Sequence, residues 1–262
     1  DHAWYWRVPG TGAQGIFESQ RLPLDDLIKS RGNHMTDRSR INRREVLGAT
    51  LALPLGALVA PSQAAAATCV ATPRQTSGPF FPVFDQLDKD VDLTRLTGHD
   101  GTADGVVIRV QGRVLDEACQ PVEGALVDLW QADANGRYSH PADPNPAPRD
   151  PNFQGWGQAV TDSAGAYSFR TIKPAAYPLA FLDGQPDASK GYRTPHIHFR
   201  VSKRGYRELS TQMYFAGEKL NDVDIVLNRV PEAERPRVVI TGSKSGPQDP
   251  PLFKFDLVIA RG

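Results

Sequence analysis

Residues 193–198 read RTPHIH in a chain that has six histidines. In an extended strand residues i and i+2 project to one face, so a strand over HIHFRV sets His196 and His198 side by side. Paired imidazoles suit zinc, copper or iron. Two polar residues on a wet face satisfy the same spacing. A two-histidine, one-carboxylate site needs an acid close behind the pair, and Phe199, Arg200, Val201, Ser202 and Lys203 supply none. Any remaining ligands come from elsewhere in the chain.

Two tyrosines are placed to supply them. Tyr138 lies in GRYSH behind the run ALVDLWQA, and Tyr177 lies in TIKPAAYP behind AYSFRTI. A free phenol ionises near pH ~10, but a trivalent cation takes it as phenolate. Two phenolates with two neutral imidazoles form a donor set that favours ferric iron over zinc or copper. The other polar and aromatic candidates read more plainly. Tyr167 alternates with Phe169 and reads as packing. Tyr192 and Trp156 either wall a substrate cavity or pack. His140 reads as a solvated loop residue, with support of the Tyr138 ligand as the alternative. Asp128 and Asp133 fit no paired-acid mechanism and suit turns or hydrogen bonds, while His99 carries no signal.

Strands have to position these residues. Short runs separated by turn residues recur: VVIRVQGRVLD, ALVDLWQA, QAVTD, AYSFRTI, HIHFRVS, ELSTQMYF, VDIVL, RVVITG and LFKFDLVIA. This pattern predicts an all-β fold, a sandwich of mainly antiparallel short strands with long loops and little helix. DANG and DSAG read as hairpin or tight-turn loops, and PEAERPR as one helical turn. Residues 141–157, with five prolines, form a long loop whose Phe153 and Trp156 imply that it packs on something.

The chain has 262 residues with 30 basic and 30 acidic side chains and shows no basic stripe, so no nucleic-acid partner is expected. Residues 1–34 show no sustained periodicity and are expected to lie outside the mature protein. Residues 35–67 read as a signal peptide: a basic stretch, an apolar run from Val46 to Ala60, then small residues. The run is too short for a membrane span of about 20 residues and is broken by Pro54, so no stable membrane insertion is expected. Arg43 and Arg44 give the segment a twin-arginine character, which predicts export. Residues 68–262 are then one domain. They hold both cysteines, Cys69 and Cys119, which an oxidising compartment would pair.

Over VEGALVDLWQADANGRYSH, DPNFQGWGQAVTDSAGAYSFRTIKPAAYP, RTPHIHFRV and TQMYF the sequence resembles the intradiol ring-cleavage dioxygenases, and is most similar to their protocatechuate 3,4-dioxygenase branch. The resemblance implies a ferric centre held by Tyr138, Tyr177, His196 and His198, with Tyr177 and His196 axial. It implies that Arg193 lies beside the bound ring and that Gln212 lines the same pocket. The implied reaction cleaves a catechol-type ring with O2, both oxygen atoms entering a muconate-type diacid. The incoming catechol displaces Tyr177, which takes one of its protons. One departure stands out: protocatechuate enzymes carry a tryptophan two residues after the axial tyrosine, where this chain has Leu179. Catechols other than protocatechuate are therefore expected as substrates. Association into homo-oligomers stays open. The alternative is an exported transthyretin-like or carboxypeptidase-regulatory-like module without catalysis, in which Tyr177 is a corner residue. It has no use for Arg193, His196, His198 and Tyr138 together.

Overall fold

The structure, a computed structural model, describes residues 68–86 and 88–262. The expected leader and the residues before it lie outside the described residues. Among the described residues thirteen strands occur in chain order: β1 (Val107–Asp116), β2 (Leu126–Trp130), β3 (Trp156–Val160), β4 (Ala166–Ile172), β5 (Tyr177–Pro178), β6 (Phe181–Leu182), β7 (Gln185–Pro186), β8 (Tyr192–Arg193), β9 (His196–Ser202), β10 (Leu209–Phe215), β11 (Val239–Ile240), β12 (Leu252–Lys254) and β13 (Leu257–Ile259). Among the described residues the helices are all short 3-10 turns, including the expected one at Glu232–Arg237. No helix among them is long and apolar enough to cross a membrane.

Two sheets carry the fold. In the first, β1 pairs antiparallel with β4 and parallel with β12 and β13; the second runs β11-β10-β9-β2-β3. Alternation explains the packing. Ile108, Val110 and Val114 of β1 share one apolar cluster with Phe169 of β4, Val127 and Leu129 of β2, Ile197, Phe199 and Val201 of β9, and Met213 and Phe215 of β10. That cluster fills the space between the sheets and makes the fold the expected sandwich.

The same alternation throws His196, His198 and Arg200 onto the outer face of the second sheet. The cross-strand register builds rows there. Trp130 and Gln212 both stand opposite His198, Tyr214 stands opposite His196, and Asp128 stands opposite Arg200. This outer face is buried too, because loops cover it. Such a covered second face offers water-excluded positions to polar side chains.

Two expectations need correction. The stretch VDIVL is not a strand; it follows a 3-10 turn at Lys219–Asp222 and runs into another at Leu227–Arg229. The Asp224 carboxylate accepts hydrogen bonds from the amides of Val226 and Leu227, both 2.9 Å, so the chain coils around a buried anion. LFKFDLVIA is not one strand but β12 and β13, interrupted at Phe255–Asp256. There the Phe255 carbonyl presses on β1, and an ideal Cβ at Gly112 would lie 1.9 Å from its oxygen. DSAG is the expected tight turn, and it carries the chain from β3 in one sheet to β4 in the other. DANG likewise opens the long loop that carries Tyr138.

Cys69 and Cys119 are joined as a disulfide, with Cα atoms 5.1 Å apart.

Candidate metal centre

Four side chains converge on the covered outer face. His196 and His198 come from β9. Tyr138 comes from the loop after β2, where the Asp143 carboxylate fixes its backbone amide at 2.6 Å. Tyr177 comes from β5, which pairs with β8 so that Tyr177 stands opposite Arg193. Gly136, at φ +73°, lets the Tyr138 loop lie against the backbone of Ala176 and Tyr177.

Tyr138 Oη lies 3.1 Å from His198 Nε2 and 3.3 Å from His196 Nε2, and Tyr177 Oη lies 3.4 Å from His196 Nε2. These are long for hydrogen bonds that involve a hydroxyl. They suit the edges of a coordination polyhedron, because donors bound at about 2.1 Å lie roughly 3 Å apart across a right angle and further apart at wider angles. The protonation states agree. Burial pushes both histidines well below their ordinary value, with help from the Arg193 cation at His196 and from His196 at His198. Both rings therefore offer a neutral lone pair. His196 Nδ1 lies 2.6 Å from the Thr194 carbonyl oxygen; that contact makes Nδ1–H the donor and leaves the Nε2 lone pair free to bind a metal. Burial pushes the Tyr138 phenol well up and the Tyr177 phenol up, so a cation is what would ionise them. The residues present therefore fit a trivalent metal. Among the described residues no cluster of three or more His, Cys, Asp or Glu offers a rival site.

The two phenols differ. Tyr138 is buried, touches both imidazoles and carries the Phe80 ring at 4.9 Å. Tyr177 is half-buried and touches one. His198 is oriented differently from His196. Its Nδ1 has no partner among the described residues, and the ring lies flat on Trp130, centroids 4.8 Å apart and planes within 10°.

Arg193 is buried beside this cluster. Its Nε donates to Asp224 at 2.9 Å and its Nη2 to Gln212 Oε1 at 2.6 Å. Gln212, fully buried, also donates through Nε2 to the Thr76 carbonyl at 2.8 Å, so its amide is spent on holding Arg193 and residue 76. Burial alone would lower the guanidinium, but coupling to the Tyr177 phenol, where that ionises, and to the Asp224 carboxylate raises it instead.

Tyr167, Asp128, Asp133 and His99 lie where plainer readings put them. Tyr167 is buried in the core cluster. Asp128 accepts from Trp156, Gln158 and Arg200, and Asp133 from the amides of Asn135, Arg137 and Asp150. His140 is not the solvated residue expected: it is half-buried next to Phe80 with its Nε2 buried, though it is not among the converging donors, and His99 is exposed. Tyr192 and Leu179 are half-buried on β8 and just after β5. Trp156 lines a cavity of about 350 Å³ together with Phe80, Trp130 and Tyr138.

The sequence pattern did not single out the residues that close the site. Gln75 bonds Thr211 and Gln212, Gly78 packs on the His198 ring, Phe80 lies on Tyr138, and the Tyr214 hydroxyl donates to Gln75 at 2.7 Å. Trp130 shares its strand face with Asp128, which was a usable signal. Asp224 and the segment 75–80 offered none, because the site residues that they hold are remote in sequence.

The chain matches the family described as Dioxygenase (Dioxygenase_C) over residues 77–261. It is 40% identical over 189 residues to the protocatechuate 3,4-dioxygenase beta chain of Burkholderia cepacia, covering 71% of this chain and 78% of that one. It is 38% identical over 112 residues to a catechol 1,2-dioxygenase of Candida albicans, covering 41% of this chain and 36% of that one. It therefore spans little more than a third of that relative. The solved dioxygenase domain of a dioxygenase–carbohydrate-binding fusion from Streptomyces sp. SirexAA-E superposes with a TM-score of 0.51 at 29% identity, covering 74% of this chain and 100% of that domain. The family match covers both histidines, both tyrosines and Arg193, and the chain belongs to the intradiol ring-cleavage dioxygenase family.

Proposed function

We propose that the chain binds ferric iron through Tyr138, Tyr177, His196 and His198 and cleaves a catechol-type ring between its two hydroxylated carbons, using O2. The observation that carries this reading is the convergence of two phenols and two neutral imidazoles on one point, with contacts of 3.1–3.4 Å. Bound there, ferric iron would act as a Lewis acid that activates the catechol ring toward O2. Tyr138, buried and shared between both imidazoles, is the permanent phenolate. Tyr177 is the exchangeable one: its Oη can withdraw and take a catechol proton. Arg193, always cationic, stabilises negative charge that builds up on the ring. The loops over this face keep water from the reacting atoms. A non-catalytic sandwich module leaves all of these contacts without a purpose.

Leu179 follows Tyr177 where an aromatic residue would fill more space and add a polar donor. Catechol and bulkier catechols are therefore the substrate class, with protocatechuate no better. Export through the twin-arginine pathway is part of the proposal. It draws support from Arg43-Arg44 ahead of an apolar run and from a disulfide that suits an oxidising compartment.

The test is to purify the protein, measure iron and the visible spectrum, and follow O2 uptake and product with catechol and protocatechuate. Stoichiometric iron, a tyrosinate band and a muconate-type product are expected. A colourless protein that takes up no iron would overturn the reading.

A further inference from the structure

We propose that Asp224 is the residue that positions Arg193, and that it does so as part of one buried carboxylate hub serving the whole 193–196 segment. The inference rests on the ring-cleavage reading only for its kinetic arm.

Asp224 is fully buried, and both of its oxygens are committed. Oδ1 accepts from the amides of Val226 and Leu227, and Oδ2 accepts from Arg193 Nε and from the Thr194 amide, all at 2.9 Å. The Thr194 carbonyl in turn takes the His196 Nδ1 proton at 2.6 Å. One carboxylate thus holds the guanidinium and, two bonds on, the tautomer and ring plane of a metal-binding histidine.

A buried ion pair is weak evidence of stabilisation, because desolvation offsets most of the attraction. What this pair does supply is geometry. Without it the guanidinium would face Tyr177 unanchored, since Tyr177 stands opposite Arg193 in the β5–β8 pair. Asp224 and Gln212 each take one N–H and so fix the guanidinium plane. Among the described residues the remaining N–H groups of Arg193 make no hydrogen bond, which leaves them for a ligand. Asp224 touches none of the converging donor atoms and acts through Arg193 and Thr194.

Asp224→Asn separates this task from the cap on the 3-10 turn. The asparagine oxygen can still serve Val226 and Leu227, but its NH2 then meets the donors Arg193 Nε–H and Thr194 N–H. The first readout needs no turnover: the Nε–H resonance of Arg193 in the full chain, assigned by its absence in Arg193→Lys. A resonance protected from exchange in the wild type and unprotected in Asp224→Asn is the expected result; protection in both would overturn the proposal. The second readout is a double-mutant cycle with iron-loaded protein. Asp224→Asn should lower kcat for catechol roughly ten- to a hundredfold with KM little changed. In an Arg193→Ala background it should add less than about a twofold loss. Equal losses in both backgrounds would mean a merely structural role and sink the idea. Should Asp224→Asn not fold, Arg193→Lys keeps the charge without Nε and decides the matter. It should lose as much activity as Arg193→Ala, and wild-type kcat would overturn the proposal. If the wild type cleaves no catechol, the ring-cleavage reading falls, while the resonance still decides where Arg193 is held.

Discussion

Gly136 lies against Tyr177: a Cβ built on Gly136 would come within 3.1 Å of Tyr177 Cβ and 2.9 Å of the Ala176 carbonyl oxygen. The loop that delivers Tyr138 therefore rests on the backbone that delivers Tyr177, and the missing side chain sets the gap between the two phenols. Gly136 also sits at φ +73°, where an L side chain costs about 1–2 kcal/mol. Gly136→Ala should destabilise the fold by at least that amount and push the two tyrosines apart. Urea unfolding should show the lost stability, and iron analysis a weaker metal site. Full iron content and an unchanged visible band in this variant would mean that the contact does not set the ligand spacing.

The sequence revealed the parts of this site that rest on local periodicity and hid those that rest on register. HIHFRVS and AYSFRTI are strands over the residues that their alternation marks. The apolar positions of β9 find the core and the histidines find the opposite face. No local pattern says that Trp130 and Gln212 flank His198, because cross-strand register is a property of the whole sheet. VDIVL alternates like a strand, yet a buried Asp224 commands the surrounding amides and wins. Gln75 and Thr76 close the site across 136 residues of sequence and Gly78 reaches the likewise remote His198, beyond the reach of any spacing argument.

The Cys69–Cys119 bridge closes a loop with a sequence separation of 50, for which chain entropy suggests about 4 kcal/mol of stabilisation. Replacing both cysteines by serine should lower the urea midpoint accordingly. Iron content should hold, because Thr72 and Gln75 still anchor the strap ahead of Gly78 through the carbonyls of Val258 and Ser210. A variant that unfolds at the wild-type midpoint would show that the bridge adds nothing.

Asp116 gives the acid side of the stability curve a specific origin. The Gln120 amide, and next the Arg261 guanidinium, hold its carboxyl below the ordinary value of 3.8. A folded-state pKa below the unfolded one stabilises the fold above the unfolded value, and that stabilisation is lost as pH falls toward the folded value. Asp116→Asn should therefore be less stable than the wild type near pH ~6, and the gap should close as pH falls below about 3.8. Denaturant midpoints of both proteins across this range check it; a gap that does not change with pH would refute the assignment.

Tyr138 and Tyr177 should fail in different ways when each loses its hydroxyl. Tyr138 contacts both imidazoles from a buried position with its ring under Phe80, so nothing can replace its oxygen. Tyr177 contacts one imidazole and is half-buried, which suits a ligand that leaves when substrate arrives. Tyr138→Phe should lower iron content and remove much of the visible band. Tyr177→Phe should keep more iron, shift the band and bind catechol slowly, because the group that accepts a catechol proton is gone. Neither change opens a cavity, so any stability change should stay near the roughly 0.5–1.5 kcal/mol of one hydrogen bond. Iron analysis, visible spectra and stopped-flow mixing with catechol on the three proteins separate the two roles. Equal iron and equal binding rates in both variants would show that the two phenols are interchangeable. Full iron with unchanged spectra would remove both tyrosines from the metal and leave His196 and His198 as an ordinary polar pair.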